Sequence, residues 1–163
     1  MAALALNALG RGTGLALAIL RIYAGLFWLD KGVRQKLFDP TWVGPNGDCA
    51  SVIASMTHAP AFFRSFLHAV VIPNVTLFSY AVEWGETLVG VSLFLGLLSR
   101  VGALGGMFLA LMYFLGNGAG SVHDGAFGFD ATTFAMTSLH AIVPTGRVLG
   151  LDRLLRPLRG RRR

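Results

Sequence analysis

Glu83 and Glu86 lie inside an apolar run, Asn74 to Leu98, that is long enough to cross a membrane as a helix. Carboxylates at that depth are costly, so each needs a partner, a proton or a purpose. Spaced three apart, both fall on one face of a helix. Whatever fold the chain takes must bring something to that face.

Composition places the run in lipid. Hydrophobic residues make up 54% of the 163 positions and charged residues only 13%, where a soluble domain carries about 25% charged. Four apolar segments stand out: Thr13 to Leu29, Asn74 to Leu98, Val101 to Leu115 and Phe129 to Val143. A crossing helix needs ~20 residues for a ~30 Å hydrocarbon core. With their flanks the spans become about 13–33, 74–98, 100–117 and 129–149. Only helices or closed barrels can cross, and these runs lack barrel-like alternation. The expected fold is all-α: one integral membrane domain over 1–163, a four-transmembrane-helix bundle ending in a basic tail, 150–163.

The net charge of +6 sits mostly at that end, where Arg147, Arg153, Arg156, Arg159, Arg161, Arg162 and Arg163 hold half of the 14 basic residues. A basic tail directly after a span reads as a cytoplasmic anchor to anionic lipid. No aromatic-interleaved basic surface accompanies it, so nucleic acid is not the expected partner. Four spans then put both termini in the cytoplasm, Arg100 inside, and the connection with Asp124 outside. The N-terminal run continues past Arg21 to Leu29 without a small-residue cleavage site, so it reads as a span and not a cleaved signal. Lys31, Arg34 and Lys36 fall on the outer side in this topology, against the positive-inside trend, which hints at contact with an anionic substrate. Trp28, near the outer end of the first span, suits the interfacial belt.

The first connection is long, Asp30 to Pro73. Asp39-Pro40 and Gly44-Pro45-Asn46-Gly47-Asp48 are turn signals. Pro60 to Ile72 reads as a short helix stopped by Pro73. Its Phe62, Phe63, Phe66, Leu67, Val70 and Val71 suit an interfacial helix on the outer leaflet, or a buried part of the loop. Gly102-x-x-x-Gly106 allows close helix approach and reads as packing inside the bundle in preference to dimerisation; a homo-oligomer stays open.

Cys49 is the sole cysteine. It excludes an internal disulfide, a Cys-x-x-Cys thiol relay and a Cys-x-x-Cys-His haem site. His140 is the only intramembrane histidine, so bis-His haem within one chain is excluded as well. No metal, haem or flavin site is expected.

Counting at ~1.5 Å per residue from the cytoplasmic ends places Arg21 ~13 Å deep, Glu86 ~18 Å and His140 ~10 Å. One layer of Arg21, Glu86 and His140 with Glu83 beside it is therefore expected. One guanidinium neutralises one carboxylate; the second holds a proton unless His140 is charged. Such a set suits coupled electron and proton transfer, with Glu83, Glu86 and His140 as the catalytic candidates. Arg21, Tyr23 and Tyr113 are candidates for binding a cofactor in the cavity, and Lys31, Arg34 and Lys36 for binding substrate. The other reading is structural: an Arg–Glu pair that fixes helix register.

Several stretches resemble the DoxX/DoxD family of small bacterial and archaeal membrane proteins. They are Leu20-Arg21-Ile22-Tyr23-Ala24-Gly25 with Asp30-Lys31-Gly32 and Lys36-Leu37; Phe66-Leu67 and Pro73-Asn74 leading to Glu83-Trp84-Gly85-Glu86-Thr87-Leu88-Val89-Gly90; and Leu93-Phe94-Leu95-Gly96-Leu97-Leu98-Ser99-Arg100. The long first connection is more like the DoxD branch. The resemblance implies a four-helix protein of the bacterial inner membrane. It also implies a subunit of a thiosulfate:quinone oxidoreductase, which passes electrons from thiosulfate to membrane quinone and works with a second redox subunit. Every site residue above rests on charge counting and not on the family. The alternative function is a non-enzymatic scaffold or partner-docking protein of a redox assembly.

Overall fold

The computed structural model describes residues 11–118 and 128–153. Six α-helices are present among them: α1, Arg11–Leu29; α2, Asp48–Ser55; α3, Ala61–Phe66; α4, Val75–Leu95; α5, Ser99–Gly116; and α6, Phe129–Ile142. The connection and tail at 119–127 and 154–163, with Asp124 and most of the basic tail, lie outside the described residues.

Among the described residues, three helices are long and apolar enough to cross a membrane: Gly12–Leu37, Ala61–Leu95 and Ser99–Gly116. The fourth helix of the bundle, α6, has 14 residues, or ~21 Å, and packs along α5. α1 packs on α4, and α4 on α5. The segment expected as a fourth span, 129–149, thus holds a helix shorter than the other three candidate spans. It ends at Ile142, where Val143 turns extended ahead of Pro144, as the residue before a proline must.

The first two spans run further than expected. α1 continues without a break into a π-helical segment, Asp30–Leu37, so Lys31, Arg34 and Lys36 are on the span and not after it. Pro73 does not stop the helix it was expected to end. α3 passes through a π-helical stretch, Leu67–Val71, and a 3-10 turn, Ile72–Asn74, straight into α4. Proline lacks an N–H and its ring crowds the carbonyl four residues back; the wider π turn placed just before it relieves that clash. The segment expected as a separate interfacial helix is therefore the N-terminal end of one 35-residue rod.

Glycines set the closeness of α1 and α4. A Cβ on Gly25, Gly90 or Gly32 would stand 2.4, 2.6 and 2.5 Å from the backbone nitrogens of Phe94, Leu29 and Thr87. These pairs fix an antiparallel register. Gly106 faces Thr137, Val89 and Trp28, and Gly102 faces Ser92, so the Gly102-x-x-x-Gly106 stripe packs inside the bundle. Ala24, Trp28, Val89, Leu93, Ala103 and Ala110 form the central core. Trp28 is no belt residue: it is buried and donates from Nε1 to Thr137 Oγ1 at 3.3 Å.

Candidate functional site

The buried face of α4 follows helical spacing through Val75, Ser79, Glu83, Glu86, Gly90 and Leu93. Glu86 is 1% exposed, and both its oxygens are engaged. Lys36 Nζ donates to Oε2 at 2.5 Å and the Tyr113 hydroxyl donates to Oε1 at 2.8 Å. The ammonium also donates to Lys31 O at 3.3 Å and stands 4.8 Å from the centre of the Trp42 ring. Two separate elements, the π-helical end of the first span and α5, thus converge on one carboxylate, and the loop before α2 covers its ammonium partner.

Trp42 reaches this point because its loop is tied down. Asp39 Oδ1 accepts from Thr41 N at 2.9 Å and Thr41 Oγ1 at 2.7 Å. These bonds hold the Asp39 carboxyl below its usual range. Trp42 Nε1 donates to Ser79 O at 3.1 Å, which pins the indole across α4.

Two cavities flank the cluster. One, about 210 Å³, is the more polar, with Lys31, Lys36, Glu86, Tyr113, Asp130 and Thr133 set among aromatic and aliphatic walls. The other, about 230 Å³, is apolar and lies between α2, α3, α4 and α5. Trp42, Val52 and Tyr113 line both. A buried ion pair at the seam of a polar and an apolar chamber can hold a ring with hydrogen-bonding carbonyls and move protons to it.

The layer expected from depth counting separates into two clusters. Arg21 is fully buried, but it donates to the backbone oxygens of Thr145 at 3.2 Å, Val148 at 3.5 Å and Leu149 at 2.8 Å. His140 Nδ1 lies 3.2 Å from Thr145 Oγ1 in the same cluster. The Arg21 guanidinium presses on Gly96 and Gly150, where a Cβ would lie 2.1 and 2.4 Å from it. Gly96 is ten residues from Glu86, ~15 Å along α4. The depth count failed because it took the first apolar residue as the membrane edge, whereas the glycine register slides α1 toward the α4–α5 turn. Arg21 and His140 hold the C-terminal segment and do not meet Glu86.

The other candidates divide as follows. Tyr113 is in the site; Tyr23 is 62% exposed on the outside of the bundle. Lys36 is the buried counter-ion of Glu86. Lys31 lines the polar cavity, donates to Gln35 Oε1 at 3.2 Å and stands over Phe129. Arg34 is exposed and paired with Asp30. Glu83 is buried at 5% exposure, and among the described residues its carboxylate has no hydrogen-bond or ion-pair partner.

Sequence reasoning missed the Lys36 role, Trp42 and Asp152. Gly25, Leu29, Gly32 and Lys36 repeat at helical spacing, and that periodicity, carried past Leu29, points Lys36 at α4. Trp42 carried no periodic signal. Asp152 is the lone acid in the basic tail. It accepts from Leu98 N at 2.7 Å, Ser99 N at 3.2 Å and Ser99 Oγ at 2.6 Å, an N-terminal cap for α5 supplied from another segment.

No solved structure matches this chain. A family model described as TQO small subunit DoxD matches residues 16–161, which takes in both cavities, both buried clusters and, but for the first four residues of the first, the three membrane-span helices, and on that match the chain, a membrane protein, belongs to the DoxD family.

Proposed function

We propose that the chain is the quinone-handling membrane subunit of a thiosulfate:quinone oxidoreductase. The observation that carries this is the Lys36–Glu86–Tyr113 cluster at the seam of a polar and an apolar cavity. A quinone carbonyl in the polar cavity accepts a hydrogen bond from the third N–H of Lys36, or from Tyr113 once a protonated Glu86 donates to the tyrosine oxygen in place of accepting from it. Two electrons and two protons convert the ring to quinol. Oxidation of two thiosulfate ions to tetrathionate supplies the electrons, through the partner subunit that a small subunit implies. Glu86 passes protons through Tyr113, and Glu83, without a counter-charge, holds a spare one. His140 has no part in this, because it sits with Arg21 at the far end. Lys31, a cation in the wall of the polar cavity, attracts anionic groups to it. The termini are cytoplasmic in a bacterial inner membrane, with the tail on anionic lipid.

The test is chemical. Organic extracts of the purified protein should contain quinone by mass spectrometry. Tyr113→Phe should lower affinity for a short-chain quinone about tenfold, the loss of about one hydrogen bond. Reconstituted with its partner, the wild-type chain should reduce quinone on addition of thiosulfate. Extracts free of quinone, and a Tyr113→Phe protein that binds as well as wild type, favour the scaffold reading instead.

A further inference from the structure

Redox chemistry accounts for the polar cavity but not for its neighbour. The apolar cavity has Cys49, Met56, Leu67, Phe78 and Met112 in its walls. Phe66 and Phe108 also line it and are 40% and 60% exposed on the outside of the bundle, so its rim opens toward lipid. Its inner end is where Trp42, Val52 and Tyr113 are shared with the polar cavity. The groups that hold a ring therefore stand at the inner mouth of an apolar passage.

Size narrows the occupant. An apolar cavity of about 150 Å³ binds benzene. By that measure about 230 Å³ takes on the order of ten carbon atoms, and about 210 Å³ takes one substituted six-membered ring. Lipid chains are as apolar as these walls, so the cavity gains nothing by hydrophobic transfer from the bilayer. Selection must come from a tether, an apolar chain attached to a ring that is itself held at Tyr113.

Resting on the quinone reading, we propose that the apolar cavity holds the first two isoprene units of the quinone tail. The molecule turns at Trp42 and Tyr113, and the rest of its chain leaves past Phe66 and Phe108 into lipid.

Cys49 is the reporter. It is the sole cysteine, it lines the cavity, and burial pushes its thiol up, so it reacts slowly. Two quinones without a free ring position, and hence inert to thiols, serve as probes: duroquinone, which has no tail, and ubiquinone-2, which has two isoprene units. Ring binding is read by quenching of tryptophan fluorescence and its weakening in Tyr113→Phe. Cavity filling is read by the rate of Cys49 alkylation by N-ethylmaleimide. Both probes should quench. Ubiquinone-2 should slow alkylation at least tenfold and duroquinone less than twofold, with ubiquinone-4 protecting no more than ubiquinone-2. Met112→Trp, which fills the cavity, should weaken ubiquinone-2 at least fivefold and leave duroquinone within twofold. Quenching by both probes with equal protection of Cys49, or with none, overturns the tail assignment and leaves the quinone reading standing. Absence of quenching by either probe, with quinone-free extracts, overturns both.

Discussion

At the residue scale the decisive feature is that, among the described residues, Glu86 has two partners and Glu83 has none. A buried ion pair is costly to break on one side, about 3–5 kcal/mol, because the survivor is left uncompensated; replacing both charges with apolar groups is close to neutral. Lys36→Met should therefore destabilise the protein by about 3–5 kcal/mol. Lys36→Met/Glu86→Leu/Tyr113→Phe should recover most of that, since the triple variant leaves no orphaned polar group. Denaturant unfolding in micelles measures both, and an equal loss in the two proteins would show that the cluster is not the energetic unit. Glu83→Gln should cost under about 1 kcal/mol, because a protonated acid and an amide satisfy that site alike; a larger loss would mean that Glu83 is ionised. The sequence showed that one of the two carboxylates would be paired and the other left without a counter-charge. It named the wrong cation, because depth counted from a hydropathy edge carries no information on how far one helix slides along another.

At the element scale that slide is set by glycine. The α1–α4 crossing brings the backbones together at Gly25, Gly32 and Gly90, and it is this register that delivers Lys36 to Glu86 and Arg21 to Gly96. Gly32→Leu puts a Cβ against the Thr87 backbone, which cannot yield as a flexible side chain would. We expect a loss of about 1–3 kcal/mol, or more, from overpacking. Gly12→Ala, with nothing within 4 Å, should instead stabilise by about 1 kcal/mol through helix propensity. Melting temperatures of the two variants separate close packing from a general effect of glycine removal. Helix existence was legible from apolar runs; helix ends were not, because proline was read as a stop where a π turn lets the chain pass. Likewise the C-terminal segment read only as a charged tail. Its Asp152 caps α5 and its carbonyls take up Arg21, contacts between residues more than fifty positions apart that no local pattern announces.

At the scale of the whole molecule, the question is where this bundle sits in the bilayer. Ala61–Leu95 is ~52 Å long, well beyond a ~30 Å core, so one end of the rod must stand outside. The C-terminal end of α6, the α4–α5 turn and the Arg21 cluster mark one face of the slab, and the overhang is the α3 end. Glu86 then lies about midway, which is what makes its pairing with Lys36 matter. Trp84 tests this directly, because it shares that stretch of α4 but is 50% exposed on the outside, whereas Trp28 and Trp42 are buried. In vesicles of lipids brominated at different depths, Trp84 should be quenched most by bromines near the bilayer centre. A Trp84→Phe variant, reporting only Trp28 and Trp42, should be quenched weakly at every depth. If bromines near the headgroups quench Trp84 best, the Lys36–Glu86 pair lies at the interface, where water already supplies protons, and the buried proton path proposed for Glu86 and Tyr113 is unnecessary.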